Sequence, residues 1–230
     1  MRDQNTFSDV WVIIAAYNEA GVLARVISTV AGYGFRVAVV DDGSKDATHR
    51  TALANGAIVI RHPINLGQGA ALQTGITFAL ARGADAIVTF DADGQHRASD
   101  IEFLLSALSR EKAEFALGSR FLGQTSRIPI TRRALLRLAT LFTRLTSGLR
   151  LTDTHNGLRA MTRRGAATIQ MRQNRMAHAS EILSQIADSG LRFVEVPVTI
   201  EYTAYSLAKG QRIGDSLTIL SDLLTEKLHR

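Results

Sequence analysis

The sequence predicts an α/β fold with a mainly parallel sheet flanked by helices. Three observations carry that expectation. Val10–Ala16 is a continuous apolar run, as in a strand buried on both faces. Helical and strand patterns then alternate through the first half of the chain. Finally, polar clusters follow successive predicted strands, where ligands collect in parallel sheets.

The elements follow in order. After the first strand, Glu19 to Val30 has helical spacing at Val22, Leu23, Val26, Ile27 and Val30. Arg36–Val40 is a second buried strand, Lys45 to Asn55 a helix closed by Gly56, and Ala57–Arg61 a third strand. Gly67–Ala81 is an apolar helix and Ala86–Phe90 a fourth strand. Ser99 is placed to cap a helix running to Ser109, and Phe115–Gly118 is a fifth strand. In the second half, Thr131–Gly148, Thr162–Ile169, Ala177–Ser189 and Ile213–Leu228 read as helices, and Leu191–Tyr202 as a long strand broken by Pro197. Without repeats or low-complexity stretches, 230 residues point to one domain over 1–230.

Composition narrows the chemistry. Hydrophobic residues make up 46% and charged residues 21%, which suits an ordinary packed core. The absence of cysteine excludes disulfides and thiolate metal sites. Met1 to Asp9 is polar and unlike a signal peptide, and no apolar run reaches the ~20 residues a membrane span needs. A cytoplasmic protein, soluble or peripheral to the membrane, is expected. Lysine and arginine number 27 against 21 acidic residues, giving +6. Between Arg120 and Arg175 the sole acidic residue is Asp153. This surplus suits an anionic partner. No basic stretch interleaved with aromatics supports nucleic acid.

The polar clusters carry the chemistry. Asp91 and Asp93 leave the fourth strand two residues apart and can share one hard cation, Mg²⁺ or Mn²⁺, with Gln95 and His96 as further ligands. Such a metal stabilises charge on a leaving diphosphate. Asp42, at the end of the second strand, can accept hydrogen bonds from a base or ribose. Gly67 and Gly69 open a helix near phosphate, but Leu72 breaks the dinucleotide fingerprint and no Gly-Lys-Ser/Thr follows. Asp153 and Glu181 are candidate general bases for a hydroxyl acceptor, with His178 behind them. A phosphate acceptor needs only cations such as Arg120 and Arg159. Thr131 to Arg150 sets Arg133, Arg137 and Arg144 on one face of an apolar helix. That helix could lie on a membrane surface, in the core or against a partner.

Four segments occur together in order: Ala16-Tyr17-Asn18-Glu19, Val40-Asp41-Asp42-Gly43-Ser44-Lys45-Asp46, Asn65-Leu66-Gly67-Gln68-Gly69-Ala70 and Asp91-Ala92-Asp93-Gly94-Gln95-His96. With Gly118-Ser119-Arg120-Phe121, Asp153 to Arg159 and Glu195-Val196-Pro197-Val198, they resemble the family 2 glycosyltransferases of the GT-A fold. Within these the chain looks most like the dolichyl- or polyprenyl-phosphate mannose and glucose synthases. The resemblance covers about residues 10–212. It implies a nucleotide-sugar half over about 10–120 and an acceptor half over about 121–230.

The resemblance also implies roles. Ala16, Tyr17, Glu19 and Asp42 line the base and ribose. Gln68 lies by the donor diphosphate, and Asp91, Asp93 and Gln95 hold metal and diphosphate. Arg120 touches phosphate. Lys209 and Arg212, with Tyr205 and Ser206, stand where the related synthases carry an Arg…Gly-Ser-Lys loop. The chain departs at Ala16, where proline is usual, and at Gln68, where lysine is frequent. The implied reaction is inverting transfer of a hexose from a nucleoside-diphosphate sugar to a polyprenyl phosphate. Extension of a lipid-linked or cell-surface glycan is the alternative, and a non-catalytic nucleotide-binding scaffold a remote one.

Overall fold

The computed structural model describes residues 7–123, 140, 149, 151–154, 156–172 and 178–201. Apart from Thr140, which is helical, the expected helices over 131–148 and 213–228 lie outside these residues. Seven strands form one sheet in the order β3-β2-β1-β4-β6-β5-β7. They are β1 (Val10–Ala16), β2 (Arg36–Asp41), β3 (Ile58–Arg61), β4 (Ala86–Asp91), β5 (Phe115–Ser119), β6 (Arg159–Thr162) and β7 (Phe193–Pro197). The helices are α1 (Ala20–Ala31), α2 (Thr48–Ala54), α3 (Gln68–Ala81), α4 (Ser99–Glu111), α5 (Arg163–Thr168) and α6 (His178–Ser189).

Strand alternation explains why the runs are apolar throughout. Successive side chains point to opposite faces. From β1, Val10, Val12 and Ile14 enter one core with Leu23, Ile27, Leu104 and Leu108 of α1 and α4. Trp11 and Ile13 enter the other, with Ala71, Leu72 and Ile76 of α3 and Ile182 and Ile186 of α6. Both faces are dry, so no polar alternation appears in the sequence. On the second face Gly75 lets α3 approach β1: a Cβ there would overlap Ile13 Cγ2.

The parallel part is β3-β2-β1-β4. The sequence analysis missed β6, which runs antiparallel between β4 and β5, pairing Thr89 with Arg159 and Leu117 with Arg159. Four residues that include a buried arginine show no strand pattern. Consequently β5 is separated from β4, while β7 returns parallel to β5. The expected strand over 191–202 is shorter. It ends at Pro197, and the chain then crosses to the segment after β4: Thr199 N–H donates to Asp100 (2.7 Å) and Glu201 N–H to the Gln95 carbonyl (2.8 Å). Ser99 is the first helical residue of α4 and makes no capping hydrogen bond. By contrast, Thr162 caps α5 by accepting from Gly165 N–H.

Gly75→Ala is expected to destabilise the fold by about 1–3 kcal/mol, since the new methyl meets a packed branched side chain rather than a flexible end. Chemical denaturation with an unchanged m-value would measure it.

Candidate active site

The sheet changes direction about β1, with β2 on one side and β4 on the other. In open α/β sheets this switch point opens the crevice that takes ligands. Register places the polar residues around it: Ala16 pairs with Asp41 and Ala15 with Asp91. A cleft of about 460 Å³ results, lined by Ala16, Tyr17, Glu19, Asp42, Gln68, Asp91 and Asp93 among others. Seven of the nine donor-side positions named from sequence thus line one cleft, and Gln95 and Arg120 do not. The first turn of α3 forms part of the wall, an arrangement that favours anions.

Asp91 sits at the centre of a charge network. Its Oδ2 meets His96 Nε2 at 2.9 Å and its Oδ1 accepts from Gln68 Nε2 at 3.3 Å. Burial opposes its charge. The His96 hydrogen bond and charge, aided by Arg159 and His178, outweigh that and hold the carboxyl below the usual carboxylate range. Thr89 donates to the Gly157 carbonyl (2.7 Å), which keeps Gly157 against Asp91. A Cβ on Gly157 would overlap both carboxylate oxygens. Asp93 stands in the opposite condition. Burial, then the charge of Asp91, pushes its carboxyl up to about 6.

Two oxygen-donor carboxylates, one of them raised by burial and by the charge of the other, are of the type that fits a hard divalent cation. Among the described residues no cluster of three or more His, Cys, Asp or Glu residues is arranged to hold a metal. Gln95 N–H donates to Asp93 Oδ1 (3.0 Å), and its main-chain carbonyl accepts from Glu201 N–H (2.8 Å).

The acceptor-side expectations fare differently. Asp153 does not reach the cleft as a base. Its side chain is 1% exposed and accepts from Arg120 Nε (2.6 Å) and Arg120 N–H (3.1 Å). Glu195, which sequence reasoning passed over, holds the same turn by accepting from Thr152 N–H and Oγ1. Arg120 is 8% exposed, so it is a buried partner rather than an open phosphate arm. Arg159 is also buried, its pKa lowered to about 10 by desolvation against the pull of Asp91 and Asp153. Glu181 accepts from Arg172 N–H (2.9 Å) and lines a separate hollow with Arg164, Gln170 and Gln185. Lys209 and Arg212 lie outside the described residues. Helix α6 does bring His178 near Asp91.

A crevice of this kind, at the switch point of a mainly parallel sheet, defines an open α/β protein with its ligand crevice at the carboxyl ends of the strands. Residues 11–169 match the model of Glycosyl transferase family 2, and the chain belongs to that family. It is 31% identical over 241 residues to the UDP-N-acetylglucosamine–dolichyl-phosphate N-acetylglucosaminyltransferase of Methanococcus voltae, covering 95% of this chain and 96% of that one. It is 30% identical over 219 residues to the polyprenol monophosphomannose synthase of Mycolicibacterium smegmatis, covering 90% and 82%. Among solved structures, glucosyl-3-phosphoglycerate synthase from Mycobacterium tuberculosis, in complex with Mn²⁺, UDP and phosphoglyceric acid, superposes with a TM-score of 0.72. That match covers 94% of this chain and 78% of the other, and at 19% identity it is a likeness of fold. The fold is GT-A, as the sequence motifs implied.

Two predictions follow from the carboxylates. Asp93 binds a proton more tightly folded than unfolded, so metal-free stability rises as pH falls from about 6 toward 4. Asp93→Asn should therefore raise the melting temperature of the metal-free protein at pH 7.5, by about 1 kcal/mol of stability. Gly157→Ala displaces a carboxylate end rather than backbone, so it should leave the melting temperature nearly unchanged. Mn²⁺ binding, read by electron paramagnetic resonance, should weaken about 10–100-fold.

Proposed function

We propose that this chain is a divalent-metal-dependent, inverting hexosyltransferase that moves a sugar from a nucleoside-diphosphate donor to a polyprenyl phosphate. The observation that carries the proposal is the cleft itself: Asp91 and Asp93 at the switch point, beside the start of α3 and below Tyr17 and Asp42. Asp91 and Asp93 would hold Mg²⁺ or Mn²⁺, which supplies Lewis-acid stabilisation of the leaving diphosphate. The solved neighbour with Mn²⁺ and UDP supports this choice. Ala16, Tyr17, Glu19 and Asp42 surround the nucleoside, and Gln68 stands by the diphosphate.

The acceptor is argued from what the cleft withholds. A hydroxyl nucleophile needs a base within hydrogen-bond reach. Of the three bases expected, Asp153 is paired with Arg120 inside the protein, Glu181 faces another hollow, and His178, the weakest of the three, is buried with its charge acting on Asp91. A phosphate monoester needs no base, because it is an anion at neutral pH, with a second pKa of ~6. Its oxygen attacks the anomeric carbon as the bond to the diphosphate breaks, and the configuration inverts. Arg120 and Arg159 supply positive potential from beneath, though both are buried. The two relatives, a dolichyl-phosphate N-acetylglucosaminyltransferase and a polyprenol monophosphomannose synthase, support this acceptor class.

A lipid acceptor places the reaction at a membrane surface. No helix among the described residues is long and apolar enough to cross a membrane. Residues 131–150, with Arg133, Arg137 and Arg144, are the proposed contact with anionic lipid.

The test uses purified protein with Mn²⁺ and UDP-, GDP- and dTDP-sugars, with and without a short-chain polyprenyl phosphate. Transfer is expected with the phosphate and absent with the free polyprenol. Asp93→Ala should lower kcat at least ~100-fold. Transfer to polyprenol, or undiminished turnover in that variant, would overturn the acceptor or the metal assignment respectively.

A further inference from the structure

We infer that a buried chain, Asp42–His62–Thr74, leaves the nucleotide base a single acceptor position and so selects uracil or thymine over guanine. This rests on the reading that Asp42 faces the base.

A carboxylate has about four acceptor positions. Three of those on Asp42 are filled from within the protein. Its Oδ1 takes His62 Nδ1 at 2.7 Å and Leu66 N–H at 2.9 Å, and its Oδ2 takes Gly67 N–H at 2.7 Å. One position remains, on Oδ2. Asp42 lines the cleft but is only 3% exposed, so it forms part of the floor rather than an arm.

His62 determines how the carboxylate is turned. It is buried, and its Nε2 lies 3.0 Å from Thr74 Oγ1 on α3. A neutral ring with its proton on Nδ1 satisfies both contacts: Nδ1–H donates to Asp42, and Nε2 accepts the threonine hydroxyl proton. The arrangement needs no extra charge and no water. The carboxylate of Asp42, which can only accept, requires the proton on Nδ1, and the Thr74 hydroxyl holds the ring in that orientation from Nε2, which keeps Oδ1 occupied.

The bases differ in what they ask of such a group. Guanine presents N1–H and N2–H side by side, and a carboxylate best meets that pair with both oxygens at once. Here Oδ1 is full. Uracil and thymine present one N3–H between two carbonyls, which matches a single acceptor. The side-chain amide of Asn65, in the same cleft, is of the type that could serve a flanking carbonyl. His62 is thus a positioning residue that acts through Asp42.

Calorimetric titration of the full chain with Mn²⁺ and UDP, dTDP, GDP or inorganic diphosphate tests this. UDP and dTDP should bind at least about tenfold tighter than GDP. His62→Leu should remove that preference while leaving inorganic diphosphate binding in place. His62→Asn, whose Nδ2 occupies the position of the ring Nδ1, should restore it. Thr74→Val, which removes only the hydroxyl, should reduce it without unfolding the chain. GDP binding as tightly as UDP, or an unchanged preference in both His62→Leu and Thr74→Val, would overturn the inference. Asp42→Asn separates the two layers of the argument. Equal affinity of that variant and the natural chain for every nucleotide would remove Asp42 from the base site, and the inference with it. Lost UDP affinity in Asp42→Asn alongside equal UDP and GDP binding in the natural chain would overturn the inference alone.

Discussion

Asp91 and Asp93 share a partly dry cleft, and two like charges that close raise each other's energy unless something opposite is brought near. Much of the surrounding structure answers that constraint. His96 meets Asp91 from the following loop, Arg159 supplies a buried positive charge from β6, and His178 adds to it from α6. Asp93 receives far less relief, which is why its carboxyl holds a proton up to about pH 6. The asymmetry would suit the proposed cation site: Asp91 favours its ionised form, and Asp93 is the carboxyl whose charge a proton or a metal would relieve.

The described residues of the second half brace the first. Glu195 on β7 holds Thr152, the same turn places Asp153 on Arg120, and Arg120 thereby stays folded inward. Val198 binds Ser119 at the end of β5, and Thr199 and Glu201 bind Asp100 and Gln95 in the segment after Asp93. Each of these bonds joins elements far apart in sequence. The metal-side loop is therefore held from both ends, as a preorganised site requires. Buried ion pairs such as Arg120–Asp153 add little net stability, because desolvation offsets their attraction, but removing one partner leaves an uncompensated charge. Their contribution is to geometry.

On the opposite wall, Asp42 has a structural part beside the binding role proposed for it. By accepting from Leu66 and Gly67 it shapes the turn that starts α3, and with the His62 contact it ties the cleft floor to that turn. Gly43 and Gly67 permit that geometry with positive φ of 72° and 99°. At Gly43 a Cβ would also run into the Ile64 and Asn65 backbone.

By itself the sequence determined the parallel half-sheet and the residues at its carboxyl ends. Continuous apolar runs, helical spacing between them and carboxylates after successive strands are local signals, and Asp42, Asp91 and Asp93 were legible from them, with Gln68 added by the family resemblance. Only the tertiary structure decided the rest. β6 is four residues long and takes its strand geometry from β4 and β5, so no pattern of its own marks it. Asp153 and Glu181 were chosen as the carboxylates of the polar clusters in the second half. Their partners explain why neither serves the cleft: Arg120 lies 33 residues from Asp153, and the Arg172 amide draws Glu181 to another hollow. His62 stood in view within a polar cluster, but nothing in its neighbours named Asp42 and Thr74 as its partners. Local chemistry is written in sequence, whereas which charges neutralise which depends on contacts that exist only once the sheet has closed.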